Sequence, residues 1–391
     1  MTHFLLIIIY ISFIGLGLPD GLLGAAWPSM YGELMVPVSY AGTISMIITL
    51  GTVFSSLSSD YLTYKLGTGR ITAISTGMTA FALLGFSVSN SYLMLCLMAI
   101  PYGLGAGGID AAINNYVALH YSSKHMSWLH CMWGLGAMIG PYIMGYILSG
   151  GQHWSTGYRY VGFLQLTLTT VLIFTLPIWK GRIMVQDSED PESMHKSEPL
   201  PLSQIIQIPG AKEIMIAFFC HCALEQTALL WAGSYFVLNE GFGNEIAAFY
   251  ASAYFIGVTI GRGICGFITE RFTDTQLIRI GSIITGVGLF LMMLPLHPYI
   301  AVFGYILVGL GCAPIYPCII HATPLLFGPE RSQSLIGVQM ASAYIGSTVM
   351  PPIFGLIAEH IHIGLLPYIL AVTLILMAIM YEKLLRKLHI K

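Results

Sequence analysis

Apolar residues run along this chain in blocks of roughly 18 or more, parted by short polar breaks, which is the length a helix needs to cross a bilayer. The blocks predict twelve membrane helices. Spans 1 to 6 are read at Phe4–Trp27, Tyr40–Leu62, Ile71–Val88, Tyr92–Ala118, Met126–Leu148 and Tyr158–Trp179. Spans 7 to 12 are read at Lys212–Leu238, Glu245–Thr269, Leu277–Leu294, Tyr299–Leu326, Ser332–Ile357 and Gly364–Leu385. Between the two sets lies a polar stretch from Lys180 to Gly210, rich in Ser, Pro, Glu and Asp. The expected organisation is an all-α membrane protein of two six-helix bundles, residues 1–180 and 211–391, joined by a linker over 181–210.

Composition agrees with that pattern. The chain is 56% hydrophobic and 9% charged, with mean hydropathy +0.77, which excludes an ordinary water-soluble globule. A net charge of −2 suggests no nucleic acid as partner. All seven cysteines fall in apolar segments, with neither a disulfide framework nor a zinc spacing. Met1-Thr2-His3 lacks a basic stretch and the first apolar run is long, so no cleavable signal peptide is expected. Lys and Arg set the orientation. Lys65, Arg70, Lys124, Arg182, Arg271, Arg279 and Arg331 fall in alternate loops, with Lys383, Arg386 and Lys387 in the tail, whereas Arg159 stands almost alone on the other side. The positive-inside rule then places both termini in the cytoplasm of a multi-pass cell-membrane protein.

The halves also repeat one another. Gly103-Leu104-Gly105 with Ile109 matches Gly309-Leu310-Gly311 with Ile315 at a shift of 206 residues. Asp20 matches Glu225 at 205, and Gly136, Pro141 and Gly145 match Gly346, Pro351 and Gly355 at 210. Ser56-x3-Asp60 matches Gly266-x3-Glu270, again at 210. Parallel six-span repeats with a site near the midplane are a transporter architecture.

These motifs resemble those of the major facilitator superfamily over essentially the whole chain. Gly136-x3-Gly140-Pro141-x3-Gly145 looks like its span 5 signature, and Ser56-x3-Asp60 with Lys65, Gly67 and Arg70 like a worn form of its loop 2–3 motif. A narrower resemblance is to the fucose-permease and sodium-dependent glucose-transporter branch. It is carried by Asp110-Ala-Ala-Ile-Asn114 in span 4, Leu129-His130-x3-Gly134 in span 5 and Glu225-x5-Trp231 in span 7. Gly261-Arg262 in span 8 and Gly311-x2-Pro314-Ile-Tyr316-Pro in span 10 add to it. That resemblance implies an acid in span 1 and another in span 4 serving coupling and sugar recognition, which Asp20 and Asp110 fit.

The residues make their own case. Asp110 and Asn114 are one helical turn apart and share a face, while Gly103, Gly107 and Ala111 form a separate small-residue stripe for helix contact. A carboxylate at bilayer depth is costly and usually has a task. Asp20 follows Pro19, which can bend span 1. Asp20, Asp110 and Glu225 are therefore the expected proton-coupling acids. Arg262 needs an anionic neighbour, for which Glu225 is the candidate; that pair serves structure or transport equally well. Asn114, Gln226, Trp231, His130, Trp27, Trp133, Tyr316 and Gln339 are the candidate substrate contacts, since sugars want polar partners for hydroxyls and aromatic rings for their C–H faces. Membrane aromatics otherwise fill space or anchor at the interface, and a packing role is the plainer reading for Trp27, Tyr316 and Gln339. His221 with Glu225 is too few ligands for a metal site, and neither metal nor cofactor is expected. No nucleophile elbow, P-loop or metalloprotease helix is present, so no enzyme is expected.

The expected function is uptake of a small polar solute, foremost a sugar, with protons or sodium as coupling ion, by a monomer in a lipid bilayer. Proton-driven efflux of amphipathic compounds and flipping of a lipid or glycolipid are the alternatives. Two structural expectations follow. Asp60, Arg70, Glu270, Arg271 and Arg331 are expected to form a cytoplasmic gate in which, when the inside is closed, Asp60 approaches the Arg331/Ser332 helix end and Glu270 the Lys124–Ser127 end. Glu225 and Trp231 lie about 120° apart on an ideal helix, which predicts a kink or unwound turn between Ala228 and Gly233.

Overall fold

The computed structural model describes residues 2–37, 40–180, 200–242, 250, 253–269 and 271–389. The described elements are helical, and ten of the helices are long and apolar enough to cross a membrane. Span 1 comprises two helices, Thr2–Gly17 and Leu22–Glu33, and span 10 comprises Pro298–Cys312 and Ile315–Phe327. Spans 2 to 6 are Tyr40–Leu66, Thr68–Ser87, Tyr92–His120, Ser123–Ser149 and Trp154–Lys180. A four-residue helix, Leu202–Ile205, precedes span 7 at Ala211–Leu238. Span 8 is described over Ala253–Ile268, followed by span 9 at Asp274–Met293, span 11 at Pro329–His360 and span 12 at Leu366–Lys387.

Both broken spans are broken at proline. Pro19 has no N–H and sits in a tight turn, Leu18 to Gly21, in which Asp20 N–H bonds back to Gly17 at 3.1 Å. Pro314 interrupts span 10 in the same way, and the helix restarts with Cys318 N–H on the Pro314 carbonyl at 3.1 Å. Among the described residues, span 3 is the long helix without a stretch as apolar as those in the others. Most of its length is buried against span 6, and its Thr72 and Thr76 hydroxyls bond carbonyls one turn back at 2.9 and 2.8 Å.

The chain divides into two compact units, Met1–Tyr116 with Leu129–Leu200, and Val117–Trp128 with Pro201–Lys391. In unit 1, Trp27, Phe86, Trp154 and Tyr158 form an aromatic centre of the core. The glycine stripe of span 4 presses on span 2: a side chain at Gly103 would overlap the Ile48 carbonyl, and one at Gly107 the Thr52 carbonyl. In unit 2, span 12 is tied to span 7 by Lys387 on Glu213 at 2.6 Å, and to span 9 by the two-pronged Arg279–Glu382 pair at 2.6 and 2.9 Å.

Candidate functional site

Asp20 stands in the turn that Pro19 opens within span 1, surrounded by protein yet with exposed surface. Its carboxylate accepts from two other helices of unit 1. Tyr102 of span 4 donates its hydroxyl to Oδ1 at 3.1 Å, and Trp133 of span 5 donates its indole N–H to Oδ2 at 2.9 Å. Span 5 reaches this turn because it carries no side chains where it crosses span 1. Any Cβ at Gly136 would overlap the Ile14 carbonyl, and one at Gly140 the Leu18 carbonyl. The two donors differ in kind. An indole N–H only donates, whereas a phenol can donate or accept. Asp20 can therefore take up a proton with Trp133 still bonded and Tyr102 turned to receive the new O–H.

Asp110 begins a buried hydrogen-bonded chain on the same unit. Asn114 Nδ2 donates to the Asp110 carboxylate at 2.7 Å and to its carbonyl at 2.9 Å. With its nitrogen so engaged, the amide presents Oδ1 to His130, whose Nε2 lies 3.1 Å away. That Nε2 must carry a hydrogen, because an amide oxygen only accepts. Phe13 of span 1 meets the His130 ring edge-on at 5.6 Å. Asp20 and Asp110 are close enough for each to feel the other's charge. The turn in span 1 and the Asp110–Asn114–His130 chain thus place two acids and their polar partners near one another in unit 1.

In unit 2, His221 and Glu225 approach to 3.8 Å on one face of span 7, and the charge of Arg262 reaches the same imidazole. The Tyr316 ring lies 4.6 Å from that of Phe218 at a tilt of 53°, and its hydroxyl donates to the Met340 sulfur at 3.1 Å. Gln226 is exposed. Gln339 is fully buried; its oxygen accepts from Thr323 at 3.1 Å and its nitrogen has no partner among the described residues. Trp27 packs in the unit 1 core. Of the gate residues, Asp60 accepts the Leu200 N–H at 3.3 Å, and Arg70, Arg271 and Arg331 are exposed. Glu270 lies outside the described residues. Among those residues no group of three or more His, Cys, Asp or Glu could hold a metal.

One expectation is corrected. Span 7 is helical without interruption from Ala211 to Leu238, with no unwound turn between Ala228 and Gly233. Trp231 is occupied within unit 2 instead. Its N–H donates to the Pro351 carbonyl at 2.9 Å, and its ring lies edge-on to Phe354 at 5.6 Å in a notch that Gly355 leaves open. Conversely, two groups that sequence patterns do not announce take part in the polar contacts. Tyr102 is 82 residues from Asp20, and nothing local marks it. Asp274 and His321 meet at 2.6 Å across 47 residues; the only local signal is the capping box Thr273-x2-Gln276, which marks where span 9 starts.

Comparison with known proteins agrees with this architecture. The Major Facilitator Superfamily model matches residues 9–253 and 237–389. Bypass of stop codon protein 6 of Saccharomyces cerevisiae is 23% identical over 91% of this chain and 77% of its own. The glucose/mannose transporter GlcP of Bacillus subtilis is 21% identical over 69% of this chain and 67% of its own. Among solved structures, the proton:xylose symporter XylE superposes with a TM-score of 0.80 at 12% identity, covering 96% of this chain and 94% of that one. The fucose:proton symporter FucP of E. coli superposes with a TM-score of 0.71 at 17% identity, covering 96% and 98%. With the family model matched across nearly its whole length, on a twelve-helix fold that repeats its halves, this chain belongs to the major facilitator superfamily, a family of multi-pass membrane transporters and not of enzymes.

Proposed function

We propose that this transporter moves a sugar or a similar small polyol together with a proton by alternating access, with both termini in the cytoplasm. The observation that carries the reading is Asp20, a carboxylate in the span 1 break held by one fixed donor, Trp133, and one reversible donor, Tyr102. Such a group can gain and lose a proton while its neighbours stay in place. Asp110 is the second acid, and its charge is registered through Asn114 to His130. Asn114, His130 and Gln226 supply polar contacts for hydroxyl groups in this reading, and Glu225 with Arg262 serves the second half. GlcP, XylE and FucP, named for sugars, support the substrate class. Protons, not sodium, are favoured because the partners around Asp20 are donors, whereas a sodium ion needs a shell of oxygens.

A ligand-stabilisation screen of the purified protein tests the substrate class, since a ligand of the folded state raises the melting temperature in proportion to its saturation. Free hexoses and pentoses are expected to stabilise the protein, and more so at acid pH. Stabilisation by amphipathic cations or lipids alone, with none by sugars, would overturn the proposal.

A further inference from the structure

Residues 117–128 comprise the end of span 4, the connecting turn and the start of span 5, and they belong to unit 2 although the rest of both helices belongs to unit 1. Three contacts dock this segment. Ser123 donates its hydroxyl to Asp274 Oδ1 at 2.5 Å, the Tyr121 carbonyl lies 3.1 Å from His321 Nε2, and the Trp128 ring meets Phe267 edge-on at 6.3 Å beside Gly266. Asp274 and His321 also meet each other, Oδ2 to Nδ1, at 2.6 Å. Both side chains are largely buried, 9% and 13% exposed.

Each ring nitrogen of His321 therefore faces an oxygen. The Tyr121 carbonyl can only accept, so Nε2 carries a hydrogen. At 2.6 Å a second hydrogen must lie between Nδ1 and the carboxylate, since two bare lone pairs would repel. The pair thus holds one proton more than a carboxylate beside a neutral imidazole, and the count is the same whether that proton is assigned to Nδ1 or to Oδ2. The structure assigns to Asp274 and His321 a proton-binding site that docks residues 117–128 onto the helices of unit 2, and release of that proton undocks them. Cys318 on span 10 and Tyr381 on span 12 face Asp274, the Tyr381 hydroxyl lying 3.3 Å from Thr275, and Cys265 on span 8 lies beside Cys318. Arg279, further along span 9, is engaged by Glu382, and the docked segment brings Lys124 and His125, the latter ring 5.5 Å from Tyr121. The segment is continuous in sequence with the helices that carry Asp110, Asn114 and His130. This inference does not depend on what the protein transports.

Hydrogen exchange of the full chain in nanodiscs, read at about pH 5.5 and about pH 8.5 and corrected for intrinsic rates with a free peptide, tests it across the range where histidine changes charge. Protection of residues 117–128 is expected to fall about tenfold or more from the acid to the alkaline condition, the effect of roughly one unit of proton linkage. His321→Gln and Asp274→Asn are expected to show low protection at both. Wild-type protection that does not change with pH, or a His321→Gln variant that keeps the wild-type pH response, would overturn the assignment. Protection of residues 298–312 reports whether each variant has folded, and if a variant has not, the wild-type comparison alone decides.

Discussion

The indole of Trp133 can do nothing at Asp20 but donate, while the Tyr102 hydroxyl can follow the carboxyl group through protonation by turning. The two substitutions Trp133→Phe and Tyr102→Phe should therefore behave differently. Hydrogen bonds to charged groups contribute about 1.5–3 kcal/mol. Trp133→Phe is expected to cut substrate accumulation about tenfold or more, because the fixed donor is lost in both protonation states. Tyr102→Phe is expected to alter the pH profile of transport more than its maximal rate. Uptake measured across a pH series separates the two, and identical profiles for both variants would contradict this account. At this scale the acids themselves were legible, since Asp20, Asp110 and Asn114 stand out in apolar runs and the last two share a helical face. Their pairings were not. Trp133 stood among the candidate span aromatics, but it and Tyr102 join Asp20 through tertiary contacts 113 and 82 residues away, and no local pattern encodes contacts of that kind.

Helix contacts depend on what the sequence omits as much as on what it contains. Gly136 and Gly140 let span 5 meet the carbonyls of Ile14 and Leu18, and this seats Trp133 one turn from the span 1 break. Gly136→Leu should force the two helices apart, and overpacking of this kind costs about 1–3 kcal/mol. A lower melting temperature and loss of Asp20-dependent transport are expected together; a variant with wild-type stability would show that the contact is looser than described. A second contact joins span 1 to span 6. Glu33, at the end of the helix beyond the membrane stretch Phe4–Trp27, accepts from the Trp154 indole at 2.7 Å and from His153 at 2.8 Å. These bonds, the Trp154 one foremost, hold its carboxyl below the usual value of 4.5. A carboxylate lowered in the folded state stabilises above its unfolded value, and that contribution disappears as pH falls through the folded one. Melting curves taken from neutral to strongly acid pH should show an acid-side loss that Glu33→Gln removes. The glycine stripes and the proline break were legible as motifs, because small residues and prolines have few structural alternatives inside a membrane helix. The unbroken helix of span 7 was not. Trp231 was read as facing a cavity with Glu225, but Gly355, itself one of the repeat-matched glycines, opens a notch that takes the indole within unit 2.

For the whole molecule, the length of the apolar blocks carried most of the fold, since a bilayer leaves a helical chain little choice but to span it or leave it. Span 3 shows the limit of that reasoning. It has no stretch as apolar as those of its neighbours because helices, rather than lipid, cover most of it. Span 10 shows another: it reads as one apolar run and is two helices parted at Pro314. The repeat between the halves is read from the sequence at nearly constant offset, and the compact units of the structure are residues 1–116 with 129–200 and residues 117–128 with 201–391. The central claim is that substrate movement is driven by a proton taken up at Asp20 or Asp110. It is tested most directly in proteoliposomes by uptake of the best-stabilising sugar from an acid exterior into an alkaline interior. The account predicts accumulation above the external concentration in the wild type. At least one of Asp20→Asn and Asp110→Asn should still equilibrate the sugar but no longer concentrate it. Gradient-driven accumulation at the wild-type level and with the wild-type pH dependence in both variants would contradict it.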